Sequence, residues 1–106
     1  MGQDEDLLKS LFGEFEAECH QRLQRVATIL EQLQESDVDP DSSLLQDARR
    51  EMHTLKGNSG IMGFQELQAL AYEAERQLNE GITTGISEKL KIFEEKLNLI
   101  GLRMNR

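Results

Sequence analysis

Residues 8–33 read LKSLFGEFEAECHQRLQRVATILEQL, and the apolar positions within them decide the fold class. Leu8, Phe12, Phe15, Cys19, Leu23, Val26, Leu30 and Leu33 follow one another at steps of 4, 3, 4, 4, 3, 4 and 3 residues. The mean step is close to the roughly 3.6 residues of a helical turn and unlike the alternation of a strand. The spacing predicts one long helix over about 4–35. It stops at Ser36-Asp37-Val38-Asp39-Pro40-Asp41, a polar stretch whose proline cannot continue it.

The same reading carries outward along the chain. A second helix over about 42–62 starts near Ser42 or Ser43, either a good N-cap, with Gln46 three residues after Ser43 as in a capping box. Its inward stripe is expected to be Leu44, Ala48, Met52, Leu55, Ser59 and Met62, and Gly63 suits the left-handed turn that closes a helix. A third helix over about 65–80 places Phe64, Leu67, Ala71, Ala74 and Leu78 on one face. After the break at Gly81–Gly85, a fourth over about 85–105 shows Ile86, Leu90, Phe93, Leu97, Ile100 and Met104 at steps of 4, 3, 4, 3 and 4. Four amphipathic helices with short connections predict an all-α domain over 1–106, an antiparallel up-down four-helix bundle.

Composition narrows what such a bundle does. Twelve Lys and Arg against twenty Asp and Glu give a net charge of −8. Such a surface repels nucleic acid and anionic lipid, because phosphate backbones need a positive field. No apolar run approaches the roughly 18 residues of a membrane span, and no secretory leader opens the chain. The single Cys19 cannot form an internal disulfide and reads as a core residue in a reducing, cytoplasmic setting. Nothing in the pattern calls for a partner copy, and a monomer is expected.

One segment departs from an ordinary helix: Arg49-Arg50-Glu51-Met52-His53-Thr54-Leu55-Lys56-Gly57-Asn58-Ser59-Gly60. Gly57 and Gly60 fall inside the second helix, where each costs about 1 kcal/mol relative to Ala. A purely structural helix gains nothing from that unless a neighbour must approach closely. His53, Lys56, Gly57 and Gly60 stand at i, i+3, i+4 and i+7 and share one face, beside the core stripe rather than in it. Arg49, Arg50 and Lys56 against Glu51 make the stretch locally +2 in an acidic chain.

A lone histidine on a helix surface is ordinarily a bystander; the lysine and glycines at fixed spacing are what change the reading. Neutral imidazole is a good nucleophile near pH 7. Lys56, one turn away, can offset the charge of a phosphoryl group, and the glycines leave room for a partner's active site. A phosphorylated ring works best with its other nitrogen held by a carboxylate. Tyr72 and Glu75 lie on the flank of the third helix. If helices two and three are antiparallel neighbours, Glu75 is the natural partner of His53. Arg49, Arg50, Gly57, Gly60 and Tyr72 are candidates for the surface on which a partner docks. His20, beside Cys19 and without a Lys-Gly sequel, is a weaker candidate.

The run His53–Phe64 resembles the His-x-x-Lys-Gly motif of histidine phosphotransfer (HPt) domains, most closely the version at the N-terminus of chemotaxis-type histidine kinases. The resemblance covers nearly the whole chain. It implies that His53 is phosphorylated, that Lys56 is the motif lysine and that Glu75 holds the imidazole. It departs at Tyr72, where a second histidine often stands in that network, and the fifth helix common in that branch has no room here. The resemblance further implies a phosphoryl group received from a histidine kinase catalytic domain or an upstream receiver and passed to a receiver aspartate. Mg²⁺ and ATP then belong to the partner domains and no cofactor or metal to this one, which has no ATP chemistry of its own. Gly57, Gly60 and Gly63 lack the Gly-Lys-Ser/Thr ending of a P-loop. Both a stand-alone carrier and a piece of a larger kinase fit.

Two other classes of helical bundle fit less well. Di-iron bundles use Glu-x-x-His, but Ala17 and Arg50 stand three residues before His20 and His53. A non-catalytic helical adaptor would share the fold but leave the glycines and the local basic charge without a use.

Overall fold

The computed structural model of the chain describes residues 2–34 and 42–104. Four helices follow one another, α1 (Gly2–Gln34), α2 (Ser43–Met62), α3 (Gln65–Asn79) and α4 (Ile86–Met104). The expected bounds of the second and third helices and the expected start of the fourth agree within one residue, while the expected stop over 36–41 lies outside the described residues. α1 packs on α2 and α4, and α3 packs on the same two; among the described residues the diagonal pairs show no comparably close backbone approach. This is the ring of neighbours of an all-α four-helix bundle. At 1.5 Å per residue the 33 residues of α1 span about 50 Å, which sets the long axis of a 54 × 19 × 18 Å rod.

The core forms where the four apolar stripes meet. α1 contributes Phe12, Phe15, Cys19, Leu23, Val26, Leu30 and Leu33, and α4 contributes Ile86, Leu90, Phe93 and Leu97. Leu67, Ala71, Ala74 and Leu78 of α3 are fully buried, as their spacing predicts. Phe64, at the α2–α3 corner, packs edge-on to Phe12 at 6.0 Å and tilted on Phe15 at 5.6 Å between ring centroids. These rings close one end of the bundle. Truncating a buried leucine such as Leu55 to Ala would cost about 2–5 kcal/mol.

Two expected core positions are wrong. Leu8 is exposed, as is Leu7, because α1 is longer than its neighbours and its stripe runs past the point where they can cover it. Leu44 also faces outward and Leu45 takes its place, fully buried, so that α2 presents Leu45, Ala48, Met52, Leu55 and Ser59 at steps of 3, 4, 3 and 4. Met62, Ile100 and Met104 are only partly buried against this core.

The caps decide where the functional helix begins and ends. Ser42 is the N-cap of α2: it is extended, and its Oγ accepts from the Leu45 amide at 3.2 Å. With Ser42 in that place, the residue three positions on is Leu45. The capping box suggested by Ser43 and Gln46 is therefore not the one used. At the other end Gly63 adopts φ 81°. Its amide donates to Gly60 O at 3.1 Å and the Phe64 amide donates to Ser59 O at 2.9 Å, the paired bonds of a Schellman turn. That turn folds α3 back along α2, so the flank bearing His53 faces the flank bearing Glu75.

Candidate functional site

The site is a ladder between two antiparallel helices. His53 on α2 stands opposite Glu75 on α3. Three residues further along α2, Lys56 stands over the ring of Tyr72, three residues back along α3. After four more, Gly60 stands opposite Gln68. The rungs keep the 3-and-4 rhythm of both helices, so one register places them all.

Glu75 is the hub. Its side chain is only 14% exposed, and each carboxylate oxygen takes one donor. Lys56 Nζ donates to Oε1 at 2.8 Å, and His53 Nδ1 lies 2.6 Å from Oε2. Partial burial pushes the carboxyl up, but the hydrogen bonds from Lys56 and His53 outweigh it and hold Glu75 below its ordinary value. At neutral pH Glu75 is therefore a carboxylate, which can only accept. The proton of that short contact sits on His53 Nδ1, which in the neutral ring leaves the lone pair on Nε2.

The His53 side chain is 69% exposed although its partner is only 14% exposed. The ring is tethered at one nitrogen and open at the other. Gly57, one turn on, is exposed, and a Cβ built there would meet nothing within 4 Å. The space over Gly57 is free for an incoming molecule. Gly60 differs: a Cβ there would lie 2.4 Å from Gln68 Nε2, so its missing side chain makes way for a residue of the same protein.

The remaining candidates divide. Arg49 Nε donates to Leu78 O at 3.2 Å, capping the end of α3 and tying the two helices together beside the site. Arg50 is exposed and lies 3.6 Å from Asp47 one turn earlier. Tyr72 is half exposed. The local charge of +2 read along the chain keeps its sum in space but changes its acidic member. Glu75 arrives from α3 to meet Lys56, while Glu51 turns away to Arg22 (3.2 Å) and Arg25 (3.6 Å) on α1. Gln68 was missed altogether. No spacing within α2 shows what lies across the interface from Gly60.

His20 lies on α1 with Nδ1 3.8 Å from Glu94 Oε1, beyond hydrogen-bond reach, and both side chains are substantially exposed. Its neighbour Cys19 is buried, and burial pushes the thiol up to about 12, which makes it chemically inert at neutral pH. Among the described residues no helix is long and apolar enough to cross a membrane.

Comparison with known proteins gives a single family. No curated protein and no solved structure matches the chain. The Hpt domain family matches residues 10–101, a span that takes in α2 and α3 whole and most of α1 and α4. With a histidine presented on the second helix of a four-helix bundle, the chain belongs to the Hpt domain family, the phosphoryl carriers of two-component phosphorelays.

Proposed function

We propose that His53 is the phosphoryl-carrying residue and that Nε2 is the atom that bears the group. The observation that carries this reading is the 2.6 Å contact of His53 Nδ1 with the largely buried, ionised Glu75, which in the neutral ring leaves the lone pair on Nε2 of an exposed side chain. In the loading step the Nε2 lone pair attacks the donor phosphorus, the N–P bond forms and the donor's P–O bond breaks. The ring keeps its Nδ1 proton and becomes cationic, and the Glu75 carboxylate stabilises that charge. In the unloading step a receiver aspartate oxygen attacks the phosphorus and the N–P bond breaks, returning the electron pair to Nε2. No proton needs to leave the ring in either direction, so the carrier works reversibly without a base of its own.

The donor in this reading is a histidine kinase catalytic domain or an upstream receiver, in the cytoplasm, and ATP and Mg²⁺ are supplied on the partner's side. Lys56, within the same hydrogen-bonded group, offsets charge on the phosphoryl oxygens. The partner closes over the strip formed by Arg50, His53, Gly57 and Ile61, which follow one another along the outer face of α2. Ile61 is 85% exposed, and with Leu11 of α1 and Asn58 it lines a shallow groove. Such an apolar patch beside a reactive group suits a transient protein contact.

Incubation with a phosphorylated receiver or an active histidine kinase is expected to place one acid-labile, base-stable phosphate on the chain, and His53→Gln is expected to abolish it while leaving the helical circular dichroism intact. Phosphorylation of His53→Gln to the parent's extent would overturn the assignment.

A further inference from the structure

Lys56 and Tyr72 form the rung between His53 and the Gly60–Gln68 pair. Lys56 Nζ lies 5.8 Å from the centroid of the Tyr72 ring while it donates to Glu75 Oε1 at 2.8 Å. The ammonium is held from two sides by residues three positions apart on one turn of α3. Its side chain is only a quarter exposed, although lysine is the residue whose long stem most readily escapes to water. Tyr72 contributes its ring and not its hydroxyl: among the described residues the hydroxyl has no protein hydrogen bond, whereas the ring face lies within the roughly 6 Å over which an aromatic quadrupole attracts a cation.

The other charges near Glu75 are committed elsewhere. On α3, Arg76 is bound to Glu73 at 2.9 Å and reaches Glu80 at 3.5 Å. On α2, Arg49 reaches past the site to Leu78 O, and Glu51 faces α1. Lys56 and His53 are left as the two donors that divide the Glu75 carboxylate, one oxygen each. Whatever keeps Lys56 on Oε1 keeps Oε2 for His53 alone.

We propose that Tyr72 is a positioning residue of this site: its ring face holds the Lys56 ammonium against Glu75 Oε1, and so fixes the carboxylate that holds His53. Tyr72 thus acts within the domain, through Lys56, in addition to any contact it makes with a partner. The contact stands independently of the phosphotransfer reading; its consequence for the rate of phosphotransfer rests on that reading.

Two substitutions in the full chain separate the ring from the hydroxyl. Tyr72→Phe keeps the ring face, and Tyr72→Leu keeps apolar bulk without it; Tyr72 is half exposed, so neither removes core packing. The readout is the titration of the Glu75 side-chain carboxyl followed by ¹³C NMR, with the ¹⁵N signal of the Lys56 ammonium recorded alongside. Tyr72→Leu is expected to move the Glu75 midpoint upward towards the ordinary carboxylate range and to speed exchange of the Lys56 ammonium protons. Tyr72→Phe is expected to leave both close to the parent, and Tyr72→Leu made on a Lys56→Met background to move Glu75 no further. An unchanged Glu75 titration in Tyr72→Leu, an equal effect of Phe and Leu, or an additive effect on the Lys56→Met background would each overturn the proposal.

Phosphorylation by a phosphorylated receiver is expected to slow about two- to fivefold in Tyr72→Leu, the size of an exposed cation–π contact. A shifted Glu75 titration with an unchanged rate would uphold the positioning role and count against the part given to Glu75 and Lys56 in phosphotransfer.

Discussion

His53 and His20 are two histidines on helix surfaces of the same bundle, each with Nδ1 turned towards a glutamate of the adjacent helix. The resemblance ends there. Glu75 is 14% exposed, takes two donors and is held ionised; Glu94 is 53% exposed and stands 3.8 Å from its histidine, too far to fix a tautomer. Beside His53 stand a lysine in the same network and a glycine that leaves open space; among the described residues no such network surrounds His20. A histidine becomes a defined nucleophile when its second nitrogen is committed, and that depends on the burial and charge of the acceptor more than on the exposure of the ring.

The comparison can be broken by exchanging the carboxylates for amides. Glu75→Gln is expected to slow phosphorylation about 10- to 100-fold, the usual cost of losing the group that orients a functional imidazole. His20→Gln and Glu94→Gln are expected to leave the rate unchanged. Equal losses from Glu75→Gln and Glu94→Gln, measured as initial rates with one donor, would show that the geometry distinguishing the two pairs has no chemical consequence.

A smaller effect sharpens the electrostatic half of the comparison. The Glu75 carboxyl is depressed in the folded protein, so its contribution to stability is fully present above its ordinary value of about 4.3 and is lost as pH falls through the lower folded value. Urea unfolding of the parent and Glu75→Gln should therefore differ by a constant amount at neutral pH and converge in acid. A gap that stays constant through pH 3 would show that Glu75 holds its partners by shape alone.

How far the site was legible depends on whether a residue's use is local. The phase of the α1 stripe is a local property and was read correctly from Phe12 to Leu33; Leu8 failed because periodicity carries no information about where neighbouring helices end. Leu44 and Leu45 are equally apolar, and only the phase shared with Ala48 and Met52 selects Leu45. His53, Lys56 and Gly57 declare themselves by spacing within one helix, and Glu75 follows once α2 and α3 are taken as antiparallel. The pairing of Glu51 with α1 and the seat of Gln68 over Gly60 require knowing what lies across an interface, and no spacing within α2 contains that.

The two glycines of α2 give the smallest expected effect and the finest distinction. Gly57→Ala adds a methyl group in open space and should stabilise the domain by up to about 1 kcal/mol while slowing reaction with a protein partner. Gly60→Ala must displace the Gln68 amide, so it should gain less stability. Chemical denaturation of both variants, with phosphotransfer rates beside it, checks the pair; equal stability gains would mean that the Gln68 contact costs nothing to move.

The most direct test of the central claim is the position of the phosphate on the ring. Long-range ¹H–¹⁵N correlation spectra of the phosphorylated, ¹⁵N-labelled protein are predicted to show His53 bonded to phosphorus at Nε2, with Nδ1 still protonated and His20 unmodified. Phosphate on His53 Nδ1, or on His20, would contradict the account.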